Sequence, residues 1–423
     1  MMKCKTILFA MVILLNINFI ESQSVVIKNA TIYDGISDEP FVGNILFEDG
    51  IIKKVSSTLV QGDISIDATG KIVTPGFIAA DTEIGIVEIG ALSTTRDDGS
   101  DIYKIGFSIH DAFNPNSTLV PWNRANGITS AITLPRNTSS PIGGLGSYFV
   151  LDGSLNITSN RDMVMIGRLG ASNSSSRSET LSVMDDILSF ASSITGKDIK
   201  SNSDLNALIE NSAVASYMEL MPRDLKALYS LMNENLPLII KANRASDILK
   251  LIELKKKYKL NLIIMGAQES ALVSESLAKN NIPLIVNPIN NIPNSFDELA
   301  SNINLSSRLE KSGINLMFNT SRAHNYHLIR QGAGIAVANG MTYGGAIRSI
   351  TSNVAESFNI KGRGAIKQGN IADLVIWEAD PLEPSSMPER VYINGVDVDL
   401  TTRSSRLRDR YTKNLEKPNT YRN

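Results

Sequence analysis

The sequence predicts an α/β protein: a (β/α)8 barrel of the TIM type with a small β-sandwich built from strands at both ends of the chain. Between Gly76 and about residue 353, short apolar segments alternate with helical patterns, which is typical of parallel strands joined by helices. Residues 25–74 and 363–400 instead contain short β-rich segments separated by turns. Neither terminal set has enough strands to bury a core alone, so we expect the two sets to combine.

The spacing of strands and helices fits a (β/α)8 barrel, which typically needs about 250 residues. Helical patterns are found at Ala245–Lys257, Ser270–Lys279 and Ala323–Ala338. Seven barrel strands are predicted directly, at residues 76–84, 128–134, 162–167, 237–242, 261–266, 282–287 and 313–318. The remaining strand, the fourth, is predicted within residues 185–235, which otherwise have helical patterns. We interpret Gly143-Gly144-Leu145-Gly146 as a turn before a strand at Ser147–Leu151, because it lacks the Lys-Ser/Thr of a phosphate-binding loop.

The terminal sets carry their own strand and turn signals. Asn44–Phe47 and Ile51-Ile52 flank Glu48-Asp49-Gly50, which predicts a β-hairpin. In the C-terminal set, Ile371–Trp377 and Arg390–Gly395 are predicted strands. The predicted domains are a signal peptide at 1–24, the composite β-sandwich at 25–74 plus 363–400, the barrel at 75–362 and a polar tail at 401–423.

The first residues have the order of a signal peptide: Lys3 and Lys5, an apolar run over residues 7–15, and small residues at 22–24. The apolar run is shorter than the roughly 20 residues that a membrane-spanning helix needs; an uncleaved N-terminal anchor is the alternative. The only cysteine, Cys4, lies in this segment, so cleavage leaves a chain without disulfides or thiolate metal ligands. Export without disulfides favours a periplasmic or extracellular location.

Three separated blocks carry a family pattern: Asp67–Gly76 before the barrel, Ile350–Glu356 near its end, and Gly364–Trp377 after it. The third block begins Gly-Ala-Ile-Lys-Gln-Gly-Asn-Ile-Ala-Asp-Leu-Val. In these blocks the chain resembles the amidohydrolase superfamily, most closely its exported, imidazolonepropionase-like branch. The resemblance implies the barrel with its composite β-sandwich, and hydrolysis of carbon–nitrogen bonds in amides or cyclic amides at a metal centre.

The resemblance also implies where metal ligands are expected. In that family the segment that opens the barrel continues from Pro-Gly-apolar-Ile into Asp-x-His-x-His, and the two histidines bind the metal. Here Pro75–Ile78 are followed by Ala79, and Asp81 and Glu83 occupy the histidine positions. The chain is therefore expected to keep the scaffold of a metallohydrolase with a degenerate metal site.

Later strand ends depart from the family in the same way. At the end of the fifth strand, Lys241 or Asn243 stands where the resemblance implies histidine, and no histidine follows the sixth strand. After the eighth strand, Ser321 stands where the family has an aspartate that serves as ligand and general base. We therefore predict no metal cofactor in the usual place. The predicted ligand-pocket residues are Asp81, Glu83, Lys241, Asn243, Ser321 and His324.

Two interpretations of this pocket stay open. Asp81 and Glu83 point to the same side of a strand because side chains alternate in direction, and Lys241 is the nearest predicted cation that would pair with them. Alternatively, His324 and His327 follow the eighth strand, which neighbours the first in a closed barrel. They would then approach the two carboxylates and hold a relocated zinc or manganese ion.

Three functions are compatible with these residues: a hydrolase of carbon–nitrogen bonds, a catalytically inactive ligand-binding or interaction protein, and a metal-independent hydrolase that uses Asp81 or Glu83 as base. The remaining histidine, His110, lies in a loop after the first barrel strand and is interpreted as structural or exposed. A net charge of −2 over 423 residues gives no global electrostatic basis for binding nucleic acid or an anionic membrane. The expected partner is a small-molecule ligand or substrate, with homo-oligomerisation left open.

Overall fold

The computed structural model describes residues 23–136, 138–170 and 176–413. The predicted signal peptide, with Cys4, and the last part of the predicted polar tail lie outside the described residues, apart from Gln23 and Ser24. Within the described ranges, no helix is long and apolar enough to cross a membrane.

Strands and helices are numbered in chain order. The strands are β1 Val25–Ile32, β2 Phe41–Glu48, β3 Ile51–Ser56, β4 Ile64–Asp67, β5 Ile72–Pro75, β6 Phe77–Thr82, β7 Ile128–Thr133, β8 Ile142–Val150, β9 Ser159–Arg168, β10 Leu238–Ala242, β11 Leu262–Gly266, β12 Leu284–Val286, β13 Leu316–Phe318, β14 Leu374–Trp377, β15 Pro388–Ile393 and β16 Val396–Asp397. The helices are α1 Leu119–Arg124, α2 Arg177–Ser193, α3 Asn202–Glu210, α4 Ala213–Tyr217, α5 Pro222–Asn233, α6 Ala245–Tyr258, α7 Ser274–Lys279, α8 Leu305–Lys311, α9 Ile329–Ala338, α10 Tyr343–Arg348, α11 Ser352–Ser357 and α12 Arg403–Thr412.

One eight-stranded sheet contains strands from both ends of the chain. Its order is β16-β15-β14-β5-β1-β2-β3, with β4 pairing in parallel with β1. The N- and C-terminal strands meet where β14 pairs antiparallel with β5, which places Ile376 opposite Val73. The predicted hairpin is confirmed, since β2 pairs antiparallel with β3 and Phe47 lies opposite Ile52. Apolar residues of both ends therefore share one buried cluster.

The other eight-stranded sheet forms a nearly closed barrel in the order β13-β12-β11-β10-β9-β8-β7-β6. Ser349 and Ile350 lie in space between β13 and β6 and complete the ring through backbone hydrogen bonds. Phe318 N–H donates to Ser349 O over 3.1 Å, and Ile78 N–H donates to Ile350 O over 2.8 Å. The α/β class and the barrel are as predicted. The strand order departs from a regular (β/α)8 pattern, because β8 is antiparallel to both β7 and β9.

The fourth-strand prediction is wrong. Residues 185–235 contain the rest of α2 and the helices α3, α4 and α5, with no strand among them. The missing strand is β8, which includes the glycines interpreted as a turn. Glycine is needed there because the strands approach closely: a Cβ on Gly146 would lie 2.4 Å from Leu134 Cδ2 and 2.9 Å from Thr133 O. A glycine run usually indicates a turn, so close strand packing was not visible in the sequence.

The Pro-Gly and Ala-Asp-Leu-Val blocks form the joint between the two sheets. A Cβ on Gly76 would lie 2.2 Å from Thr129 Oγ1, so only glycine fits where β5 passes into β6. Gly76 N–H donates to Asp373 O over 2.9 Å. The Asp373 carboxylate forms a buried ion pair with Arg363 and accepts a hydrogen bond from Asn394 N–H over 2.8 Å. These contacts fix the composite sheet against the first barrel strand.

Candidate functional site

A polar cavity of about 400 Å³ opens at the C-terminal ends of the barrel strands, where barrel enzymes place their active sites. Its walls come from β6, the segment after β7, the ends of β10 and β11, and the segment after β13. The charged and amide side chains of its lining that bear on its chemistry are Asp81, Arg136, Lys241, Asn243, Asn319 and Arg322.

Arg322 lies at the centre of this arrangement. Its Nε donates to Asp81 Oδ1 over 2.8 Å, and its Nη1 donates to Glu83 Oε1 over 2.9 Å. Its Nη2 donates to the backbone oxygens of Leu134 and Pro135 over 2.8 Å and 3.3 Å. A single guanidinium therefore joins the ends of the first, second and eighth barrel strands and forms ion pairs with two carboxylates that would otherwise repel each other.

Neighbouring groups complete the pairing of the two acids. Asn319 Nδ2 donates to Asp81 Oδ2 over 3.1 Å, so both oxygens of this carboxylate have a partner. Arg96 lies 3.5 Å from Glu83 Oε1 and bonds Asp98 more closely. Asp81 is 2% exposed and Glu83 8% exposed, so their partners are protein groups rather than bulk water.

Tyr326 supports the strand that carries Asp81. Its hydroxyl oxygen accepts a hydrogen bond from Ala80 N–H over 3.0 Å inside the barrel wall. Burial, with the nearby Asp81 carboxylate, raises the pKa of Tyr326 above its ordinary value, so the hydroxyl stays protonated. The first barrel strand is thus held from the segment after β13 by both Tyr326 and Arg322.

The residues present do not fit the metal centre that the family implies. A hydrolytic zinc site uses about three neutral or anionic protein ligands and leaves an open position for water. Here the space between the two carboxylates holds a guanidinium, whose positive charge opposes a second cation in the same place. Among the described residues, no group of three or more His, Cys, Asp or Glu side chains is arranged to hold a metal ion.

Some of the predicted site residues lie together at the barrel mouth, and the others lie outside it. Asp81 and Glu83 are held together as predicted, and Lys241 and Asn243 share the cavity with Asp81. The predicted pairing of Lys241 with the carboxylates is wrong. The cation that pairs with both is Arg322, in the segment after β13. Lys241 is exposed and forms no ion pair with a described side chain.

The serine predicted to replace the family's aspartate is also not in place. Ser321 is exposed and does not line the cavity, whereas Asn319, directly after β13, contacts Asp81. The end of the eighth strand at Phe318 was predicted correctly, but the functional position was assigned to Ser321 rather than to Asn319 in the segment that follows. Asn319 and Arg322 were therefore missed, although an arginine soon after the eighth strand, with two acids at the end of the first, was a charge signal in the sequence.

The relocated metal site is contradicted. His324 and His327 line a separate cavity with Trp122, on the outer side of the segment after β13. Trp122 Nε1 donates to His327 Nδ1 over 3.0 Å, which occupies that nitrogen as an acceptor. Neither histidine contacts Asp81 or Glu83, since the segment turns outward after Arg322. His324 is therefore not part of the barrel-mouth pocket.

His327 gives the fold a pH dependence that can be tested. Burial lowers the pKa of His327 below its ordinary value of about 6.5, and the Trp122 hydrogen bond requires the neutral ring. The unfolded chain therefore binds this proton more readily, so stability is present above about pH 6.5 and is lost as pH falls below it. In His327→Gln this contribution is expected to disappear from thermal unfolding curves measured across that range. The exposed His324→Gln is the matched control and should keep the wild-type dependence.

His110 makes structural contacts at the other side of the barrel wall. Its Nε2 lies 2.8 Å from Ser159 Oγ, and its Nδ1 lies 3.3 Å from Asp111 Oδ1. The ring stacks on Phe149 with 5.5 Å between centroids. Asp111 is ion-paired with Arg161 and its side chain is 77% exposed. His110 thus ties its loop to β8 and β9, away from the barrel mouth.

Sequence comparisons match part of the chain to a known family. Residues 242–401 match the model of the Amidohydrolase family. A dihydroorotase from Thermoanaerobacter sp. (strain X514) is 43% identical over 60 residues. That match spans 14% of this chain and 14% of the dihydroorotase, so the chain covers only a small part of that relative's length.

Solved structures resemble the chain over most of its length. An amidohydrolase from Thermotoga maritima MSB8 has a TM-score of 0.73 at 24% identity, covering 89% of this chain and 99% of that one. A prolidase in complex with N-methylphosphonate-L-proline has a TM-score of 0.55 at 15% identity, with 89% and 99% covered. These likenesses show the fold. The family-model match confirms the predicted resemblance to the amidohydrolases over residues 242–401.

Proposed function

We propose that this chain is an amidohydrolase-family barrel that binds a small polar ligand at the barrel mouth without the hydrolytic metal centre of the family. The observation that carries the proposal is the position of Arg322, between Asp81 and Glu83 at 2.8 Å and 2.9 Å. A guanidinium is a permanent cation, so it stays paired with both acids at every physiological pH. It occupies the place between the carboxylates that a metal would take, without an open coordination position for water.

The cavity itself supports ligand binding. A volume of about 400 Å³ lies within the usual range for small-molecule sites. Its walls are rich in amide side chains, which offer both donors and acceptors: Asn243, Gln268, Asn287, Asn290, Asn294 and Asn319. Such walls suit a polar metabolite better than an apolar one, because an apolar ligand would leave these groups unpaired.

The second candidate is hydrolysis of a carbon–nitrogen bond, in an amide or a cyclic amide. It is favoured by the Amidohydrolase family match over residues 242–401 and by the segment similar to a dihydroorotase. A metal-independent version would use Asp81 or Glu83 as general base. This version is disfavoured because Arg322 and Asn319 already bond both oxygens of Asp81, and Arg322 holds Glu83 through Oε1.

A turnover assay separates the two candidates. The purified chain, with and without added zinc or manganese, is incubated with dihydroorotate, N-acyl amino acids and small cyclic amides, and product is followed by liquid chromatography. We expect no turnover above a protein-free blank under any of these conditions. Metal-dependent turnover that is lost in Asp81→Asn would contradict the proposed function and establish the hydrolase.

The assignment to the exported, imidazolonepropionase-like branch is part of the proposal. The branch rests on the blocks Asp67–Gly76, Ile350–Glu356 and Gly364–Trp377. Export rests on the charged, apolar and small order of residues 1–24 and on the single cysteine within them. The mature chain is expected in the periplasm or outside the cell, beginning near residues 22–24. N-terminal sequencing of the protein isolated from its native host tests this, and a cytoplasmic product that begins at Met1 would contradict it.

A further inference from the structure

We infer that the ligand of the barrel mouth is a small dicarboxylate, anchored by Lys241 and Arg136; the inference rests on the proposed function and specifies its ligand class. The charges that line the cavity are Asp81, Glu298, Arg136, Lys241 and Arg322. Arg322 is shared between Asp81 and Glu83, which leaves Arg136 and Lys241 as the two cations of the lining that are not part of this cluster.

Both lining acids already have partners. Asp81 is ion-paired with Arg322, at 2.8 Å, and is bonded to Asn319. Glu298 keeps its negative charge and accepts hydrogen bonds from Asn243 Nδ2 over 2.6 Å and from Asn294 N over 3.1 Å. Among the described residues, neither acid forms an ion pair with the two other cations of the cavity.

Arg136 and Lys241 are those two cations. Both are exposed, and neither forms an ion pair with any side chain in the part of the chain that the structure describes. Lys241 is unusual because it lies within β10, between the buried residues Ile240 and Ala242. Its side chain lines the mouth cavity without an ion-pair partner among the described side chains, so it is placed to bind an anionic group of a ligand there.

The sheet order places the two cations on different sides of the mouth. Arg136 follows β7, Lys241 lies in β10, and β8 and β9 separate these strands. One carboxylate cannot lie against both walls as readily as a ligand with two separated anionic groups. The amide side chains between them would pair with the remaining polar groups of such a ligand. The opposite expectation, a cationic ligand for Asp81 and Glu83, is removed because Arg322 fills that role.

Calorimetric titration of the full chain tests the inference with succinate, glutarate, inorganic phosphate and the neutral succinamide. We expect succinate or glutarate to bind and succinamide to bind at least about tenfold more weakly, a difference of about 1.4 kcal/mol. Lys241→Met and Arg136→Met should each weaken dicarboxylate binding by a similar factor. Lys279→Met, an exposed lysine outside the cavity, is the matched control and should not change it.

The possible results are distinct. Binding of phosphate but of neither dicarboxylate overturns the dicarboxylate assignment. Dicarboxylate binding that is unchanged in both cavity variants overturns the assignment of Lys241 and Arg136 as the binding residues. Failure of both dicarboxylates to bind also overturns the inference. The proposed function fails on different results, namely metal-dependent hydrolysis or stoichiometric metal bound through Asp81 and Glu83. Both variants are at exposed positions, and unchanged melting temperatures would verify that they fold.

Discussion

Replacing Arg322 by methionine is expected to lower the free energy of unfolding by about 3 kcal/mol. Removing one partner of a buried ion pair typically costs about 3–5 kcal/mol, because the other charge stays buried without compensation. We expect the low end of this range, since the Arg322 side chain is 28% exposed and Arg96 remains near Glu83. Urea unfolding at neutral pH measures the change through the transition midpoint.

The cause of this loss can be separated from a packing effect. With Arg322 gone, the carboxylates of Asp81 and Glu83 repel each other and protonation of one relieves this repulsion, so the variant should recover part of its stability as pH is lowered. Adding Asp81→Asn and Glu83→Gln to Arg322→Met should also recover stability at neutral pH. Arg308→Met, at an exposed helix position, is the control and should change stability by less than about 0.5 kcal/mol. A loss below 1 kcal/mol in Arg322→Met would contradict the central role of this side chain.

The second large effect is expected at the joint between the two sheets. Asp373→Asn should cost about 3–5 kcal/mol, because it leaves the Arg363 guanidinium buried without a counter-charge. The two side chains are 6% and 4% exposed, so water does not take over the lost interaction. Asparagine keeps an oxygen for the hydrogen bond from Asn394 N–H, and the change therefore isolates the charge.

A double variant tests whether the pair acts as a unit. Arg363→Met combined with Asp373→Asn removes both charges and should be more stable than Asp373→Asn alone, which gives a coupling energy between the two positions. Additive losses from the two single changes would show that the ion pair does not account for the effect. The measurement is again the unfolding midpoint in urea, with the slope checked for a two-state transition.

The parts of the fold that follow local rules were predictable. The hairpin around Glu48-Asp49-Gly50 and the helix α6 have strong turn or periodicity signals, and both are present. β8 was not predictable in the same way. Its glycines are required by close contacts with Leu134 and Thr133 that form only after the barrel assembles, and the same residues normally indicate a turn.

The site was predictable only in part, for a similar reason. Asp81 and Glu83 were found because the pattern around Pro75-Gly76 fixes their place on the first strand. Their partner was not found, although the end of the eighth strand at Phe318 was predicted correctly, because the family pattern implies one acidic position after that strand and this position was assigned to Ser321. Asn319 and Arg322 were therefore left outside the predicted site. Lys241 then appeared to be the nearest cation, although it faces the cavity unpaired.

The central claim is that Arg322 takes the place of a metal between Asp81 and Glu83. The most direct test is the metal content of the purified full chain by mass spectrometry, measured as isolated and after incubation with excess zinc or manganese followed by desalting. The account predicts metal far below stoichiometric amounts in both samples, unchanged in the Asp81→Asn, Glu83→Gln double variant. Stoichiometric zinc or manganese that is lost in the double variant would contradict it.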